Sequence, residues 1–166
     1  MNRTRLLWTP RRNLYVTGSS EAVSASTDYA TIKYDSNGSQ IWTARYNGPG
    51  NSFDDARTIK VDSTGNVYVA GGSTGANGFL DYATIKYSAS GSQLWVARYD
   101  RPGSGDDDAK GLAVDSSGNA YVTGHSLSAA TLARCSLAVP SCPKPFRADG
   151  GLLGLDSPAV ETSPRR

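Results

Sequence analysis

The 166-residue chain holds one histidine, one methionine and two cysteines, and each scarcity excludes something. A single His, at position 125, cannot build a histidine-rich metal centre. No nucleophile–base–orienter set surrounds it in the sequence either. The cysteines, Cys135 and Cys142, could form a disulfide or bind a metal, but they fall late in the chain without a neighbouring histidine, two ligands short of a tetrahedral zinc site, and are expected to have neither role. No run of about 20 apolar residues is present, so no membrane-spanning helix is expected. The opening "MNRTRLLWTPRR" lacks the apolar stretch of about 7–15 residues of a secretory signal. A strong charge of one sign is missing too. The net charge is +2, yet residues 13–126 carry 12 acidic and 8 basic side chains, and the basic excess sits in the flanks. A nucleic-acid binder clusters Lys and Arg on its folded face, so no nucleic-acid partner is expected.

What is present is glycine, 18 residues of it, and a repeat. "DYATIKYDSNGSQIWTARY" begins at Asp28 and "DYATIKYSASGSQLWVARY" at Asp81. "NLYVTGSS", "NVYVAGGS" and "NAYVTGHS" begin at Asn13, Asn66 and Asn119. The offset is 53 throughout, and 28 of 53 positions are identical between units 13–65 and 66–118 without a gap. A partial third unit covers 119–126.

Within a unit, Ala30, Ile32 and Tyr34 alternate with Thr31 and Lys33, and Trp42, Ala44 and Tyr46 with Thr43 and Arg45. Period two marks strands with one buried face, and the composition suits them. Ser-Asn-Gly at 36–38, Ser-Thr-Gly-Asn at 63–66 and Ser-Ser-Gly-Asn at 116–119 mark tight hairpins. Helical spacing is absent from this region. Four antiparallel strands recurring every 40–50 residues or so predict propeller blades. The fold class is all-β, a partial β-propeller of four-stranded blades.

"DDAKGLAVDSSGNAYVTG" and "DYATIKYDSNGSQIWTARYNGPG" resemble the bacterial SBBP β-propeller repeat, which is similar to NHL-type blades; the resemblance spans roughly 13–126. It implies an innermost strand at 58–62, then strands at 66–71, 81–87 and 93–99. It leaves three strands of a preceding blade (14–17, 28–34, 40–46) and two of a following one (111–115, 119–124). So few blades cannot close a ring, so further blades or other copies of the chain are expected to complete it. The resemblance also implies a bacterial surface or secreted protein, extracellular or at the cell surface.

The period breaks at both ends. "LWTP" at 7–10 stands where the repeat predicts "AVDS", as at 113–116. Reading the codons one base earlier permits Ala-Val-Asp-Ser, so residues 1–12 are expected to be irregular and translated out of frame. Residues 127–166, rich in Pro, Ala, Ser, Leu and Arg, are expected to be disordered or poorly packed.

Candidate chemistry is thin. Asp54-Asp55 recurs within Asp106-Asp107-Asp108, and carboxylates from several blades could ring the axial mouth and bind a cation. Neighbouring residues on a strand point to opposite faces, however, and Asp side chains before a strand commonly serve turns. Asp54, Asp55, Asp107 and Asp108 are therefore only weak metal candidates. "DSNGSQ", "DSTGNV" and "DSSGNA" lack the ligand pattern of an EF-hand, and "GGSTGANG" lacks the Gly-Lys-Ser/Thr of a P-loop. Trp42, Trp95 and the recurring tyrosines fit blade-to-blade packing better than a sugar-stacking surface. No catalytic residue and no cofactor is expected. The expected function is a non-enzymatic repeat module whose loops at 19–28, 47–56, 72–81 and 100–109 bind a protein or carbohydrate. The alternatives are a fragment of a propeller lyase or hydrolase with its site in other blades, or a degraded reading frame.

Overall fold

Eleven strands and no helix form among the residues described by a computed structural model, namely 4–9, 13–21, 26–101, 105–128 and 131–139. The first sheet contains β1 (Arg5–Trp8), β2 (Leu14–Glu21), β3 (Thr27–Tyr34) and β4 (Gln40–Tyr46). The second contains β5 (Asp54–Val61), β6 (Val67–Thr74), β7 (Leu80–Tyr87) and β8 (Gln93–Tyr99). The third contains β9 (Asp107–Val114), β10 (Ala120–Ser128) and β11 (Thr131–Val139). Each strand pairs antiparallel with its sequence neighbour inside the sheet. Equivalent positions share register: Leu14 faces Tyr34 as Val67 faces Tyr87. The all-β partial propeller is thus the observed architecture, and its sheets do not close.

Successive sheets stack face to face. The innermost strand β5 lies against β1, β2 and β3, and β9 lies against β5, β6 and β7. Tyr15, Tyr29 and Trp42 of the first sheet meet Ile59, Val69 and Ile85 of the second. One repeat later, Tyr68, Tyr82 and Trp95 of the second meet Leu112 and Val122 of the third. The two tryptophans keep matched surroundings: Trp42 lies 6.2 Å from Tyr15, and Trp95 lies 6.1 Å from Tyr68, both edge-on. Tyr29–Tyr46 and Tyr82–Tyr99 recur in the same way, at 5.5 and 5.7 Å. Each large side chain so buried contributes about 1.5–3 kcal/mol. The aromatic residues are therefore core between blades. β6, central in the second sheet, is buried at all eight positions because a sheet covers each of its faces.

Two strands fall in segments where irregular chain is expected. β1 pairs with β2, Leu6 opposite Val16 and Trp8 opposite Leu14, and occupies the innermost position of the first sheet. A ladder needs backbone groups and strand-compatible side chains, and "RLLW" supplies both whatever reading frame encodes it. β11 pairs along the whole of β10, which runs to Ser128. Its sequence permits this: no Pro or Gly falls within Thr131–Val139 to interrupt a ladder, even where the 53-residue identity is lost. Expectations for 1–3, 10–12 and 140–166, Cys142 included, lie outside the described residues.

Candidate functional site

The sheet end where β4 runs into β5 and β6 turns into β7 gathers the loop residues of interest. The 47–53 connection is tied to the end of β6. The Gly50 N–H donates to the Thr74 carbonyl at 3.1 Å, and the Thr74 N–H and hydroxyl both donate to the Phe53 carbonyl, at 3.1 and 2.6 Å. The 75–79 hairpin closes beside it, with the Gly75 N–H donating to the Phe79 carbonyl at 2.7 Å. Phe53 and Phe79 are both exposed at this end. Their counterparts one repeat away are Asp106 and Ser26, so neither aromatic belongs to the repeated core.

The four acidic candidates do not converge. Asp54 is buried and serves its own loop: one carboxylate oxygen accepts from the Gly48 N–H at 2.7 Å and the other from the Thr74 N–H at 3.2 Å. Asp107 repeats the role and accepts from the Arg101 N–H at 2.8 Å. Burial pushes both carboxyls up, while the hydrogen bonds they accept pull them back down. Asp55 and Asp108 turn the other way. The Ser19 hydroxyl, from the first sheet, donates to Asp55. Arg57 Nη2 lies 3.1 Å from Asp55, and its Nε lies 2.7 Å from Asp108 in the next sheet. Lys110, the counterpart of Arg57, pairs with Asp108. The acids thus fall into loop latches and inter-sheet ion pairs. No group of three or more His, Cys, Asp or Glu side chains with metal-holding geometry occurs among the described residues. His125 stands opposite Asp108 in the β9–β10 register and is exposed.

A second recurring ion pair is visible in the sequence only once its geometry is known. Arg98 donates to Asp81 at 2.7 Å, to the Ser73 hydroxyl and carbonyl at 2.6 and 2.8 Å, and to the Tyr46 hydroxyl of the preceding sheet at 2.8 Å. Arg45 does the same one repeat earlier, donating to Asp28 at 3.2 Å and to the Ser20 hydroxyl at 2.6 Å. The signal available was that both members of each pair recur at 53 residues. Burial raises the Asp81 carboxyl, and the Arg98 guanidinium opposes that. At the opposite end of the sheets an open cleft of about 340 Å³ lies between the first two sheets, bordered by Thr9, Asn13, Lys33, Asp62, Thr64 and Ala89. The Lys33 ammonium donates to the Ala89 carbonyl at 3.1 Å, inside this border.

Stacked four-stranded antiparallel sheets with a repeating inter-sheet core define an open β-propeller. Residues 95–129 match the family model of the SBBP β-propeller repeat. The match begins in β8 and ends just beyond β10, so it spans the junction of the second and third sheets. It covers 35 residues, less than one 53-residue unit, and the 53-residue identity relates them to their counterparts one unit earlier. No curated protein matches the chain. The described residues form a β-propeller repeat module, and no helix among them is long and apolar enough to cross a membrane.

Proposed function

We propose that this module is non-enzymatic and binds a protein or carbohydrate ligand through its loops, as part of a bacterial surface or secreted protein. The observation that carries the reading is the pair Phe53 and Phe79. They are exposed, Phe53 on the 47–53 connection that hydrogen-bonds to Thr74 at the end of β6 and Phe79 on the 75–79 hairpin that follows Thr74, at positions where the repeat elsewhere has Asp106 and Ser26. Loop residues that vary within a repeat while staying exposed lie outside the packing that fixes the core positions, and exposed aromatic rings are strong anchors for ligands. The engagement of Asp54, Asp55, Asp107 and Asp108 in structural bonds supports a role other than catalysis. The surface or secreted location rests on the resemblance to SBBP repeats.

The test is a glycan array and a pull-down from an extracellular protein fraction, followed by titration calorimetry of any hit. Phe53→Ala and Phe79→Ala are each expected to weaken binding at least tenfold while leaving the circular dichroism spectrum unchanged. Binding unaffected by both substitutions would place the ligand elsewhere and overturn this reading.

A further inference from the structure

The two outward faces of the sheet stack carry opposite halves of the interface that occurs twice inside the chain. In β10, Ala120, Val122, Gly124 and Ser126 are buried against the second sheet, while Tyr121, Thr123 and His125 face outward and are exposed. Tyr121 is 42% exposed; its counterparts Tyr15 and Tyr68 are 2% and 0% exposed, each covered by the next sheet. Thr123 is exposed where its counterpart Thr17 is fully buried. The first sheet shows the reverse. Leu6 is 67% exposed, whereas its counterpart Ile59 is 6% exposed and packed on the preceding sheet. Val16, Ile32 and Tyr34 are only half-buried where Val69, Ile85 and Tyr87 are buried. Trp8 adds a further large apolar side chain, 63% exposed, on β1.

An exposed sheet face of this kind is an association surface. What covers it is legible from the molecule itself: twice, a face of the Tyr121 type is covered by a face of the Leu6 type. We infer that the third sheet of one chain docks on the first sheet of a second copy, continuing the internal interface across the molecular boundary. The contact is heterologous, since one copy offers the β10 face and the other the β1 face, and such contacts extend to rings or open chains. The tyrosine ring of Tyr121 would then rest where Tyr15 and Tyr68 rest, against the Leu6 edge of the partner copy. This pairing uses faces distinct from the ligand loops proposed above, so it stands or falls independently of them.

Light scattering coupled to size exclusion tests the inference on the full chain over a range of concentrations. The expected mass rises with concentration to at least twice the 17.5 kDa of one chain. Thr123→Arg blocks the β10 face and Leu6→Arg the β1 face, so each variant alone is expected to stay monomeric. Mixed in equal amounts they are expected to form a capped pair of twice the single-chain mass, because each retains the face the other lacks. Thr123→Glu and Leu6→Glu repeat the measurement if an arginine variant loses its β-sheet spectrum. A wild-type chain that stays monomeric at every concentration overturns the inference. So does a mixture that stays monomeric, and so does either variant still associating on its own, which would indicate two-fold pairing of identical faces.

Discussion

Arg57 reaches across the boundary between the second and third sheets, its Nε 2.7 Å from Asp108 Oδ1, while its Nη2 lies 3.1 Å from Asp55 on its own strand. Both partners of the cross-sheet contact are largely withdrawn from water, with side chains 15% and 14% exposed. The contact is coulombic, since neither the Arg57 Nε–H nor the Asp108 oxygen completes an aligned hydrogen bond. Arg57→Ala is therefore expected to destabilise the fold by about 1–3 kcal/mol. That is less than for a fully buried pair, because Lys110 remains beside Asp108. Urea denaturation of Arg57→Ala, Asp108→Ala and the double variant measures the coupling between them. A coupling energy indistinguishable from zero would mean the pair contributes nothing to holding the sheets together.

Gly71 and Gly124 occupy equivalent places opposite β-bulges, where the register slips at Ala56/Thr58 and at Thr123/Gly124. A Cβ on Gly71 would lie 2.0 Å from the Asp55 carbonyl oxygen, and one on Gly124 2.1 Å from that of Asp108. The obstacle is backbone and cannot rotate away. Gly71→Ala and Gly124→Ala are each expected to cost about 3 kcal/mol or more. Gly78 makes the control: an added Cβ there meets nothing within 4 Å, and only its φ of +84° is unfavourable, at about 1 kcal/mol. Thermal melts of the three variants should separate by that margin, and an equal loss at all three would remove the bulge from the explanation.

These glycines show how far the sequence reaches. The strands, hairpins and inter-sheet aromatic core are legible because they obey a period of two and a repeat of 53, both visible in residues such as Ile32, Trp42 and Tyr46. The bulge at Arg57 is not, because one extra residue in a strand leaves no trace in composition. β1 and β11 are hidden for a related reason: "RLLW" and "TLARCSLAV" keep a strand's chemistry after departing from the repeat's identities. The partners of the recurring acids are equally silent, since Asp81 and Arg98 are 17 residues apart and meet only through the β7–β8 pairing. Phe53 and Phe79 escape a repeat-based search because they do not recur.

A cation is expected to leave the module's stability unchanged. Both Asp54 oxygens accept backbone N–H groups, and Asp55 and Asp108 are occupied by Arg57 and Lys110. Thermal melts with millimolar calcium or magnesium are expected to match melts in chelator, whereas Asp54→Ala should cost about 1–2 kcal/mol by orphaning the buried Gly48 N–H, the Thr74 N–H keeping its bond to the Phe53 carbonyl. A calcium-dependent rise in melting temperature would return these carboxylates to the list of metal ligands.

Thr9 occupies the position that Asp62 and Asp115 hold in the later repeats, and the comparison yields a stabilising substitution. The Asp62 carboxylate accepts from the N–H groups of Thr64 and Asn66, from the Thr64 hydroxyl and Asn66 side-chain amide, and from the Tyr68 hydroxyl. Asp115 repeats the arrangement with Ser117, Asn119 and Tyr121. Gly65, at φ +93°, completes the Asp62 turn. Partial burial would raise the Asp62 carboxyl, but the accepted hydrogen bonds outweigh it and hold it at about 2. The Thr9 N–H donates to the Asn13 carbonyl at 3.1 Å, as the Asp62 N–H does to the Asn66 carbonyl at 3.0 Å. Asn13 and Tyr15 stand where Asn66 and Tyr68 stand. Thr9→Asp is expected to stabilise the first sheet by roughly 1 kcal/mol at neutral pH, a modest figure because Thr9 and Asn13 are only half-buried. The carboxyl's folded pKa would lie below its unfolded value of about 3.9. The gain is then fully present above about pH 5 and disappears as pH falls through about 2. Melts of Thr9→Asp against wild type at pH 7 and near pH 2 decide it, since a gain that persists in acid cannot come from an ionised carboxylate.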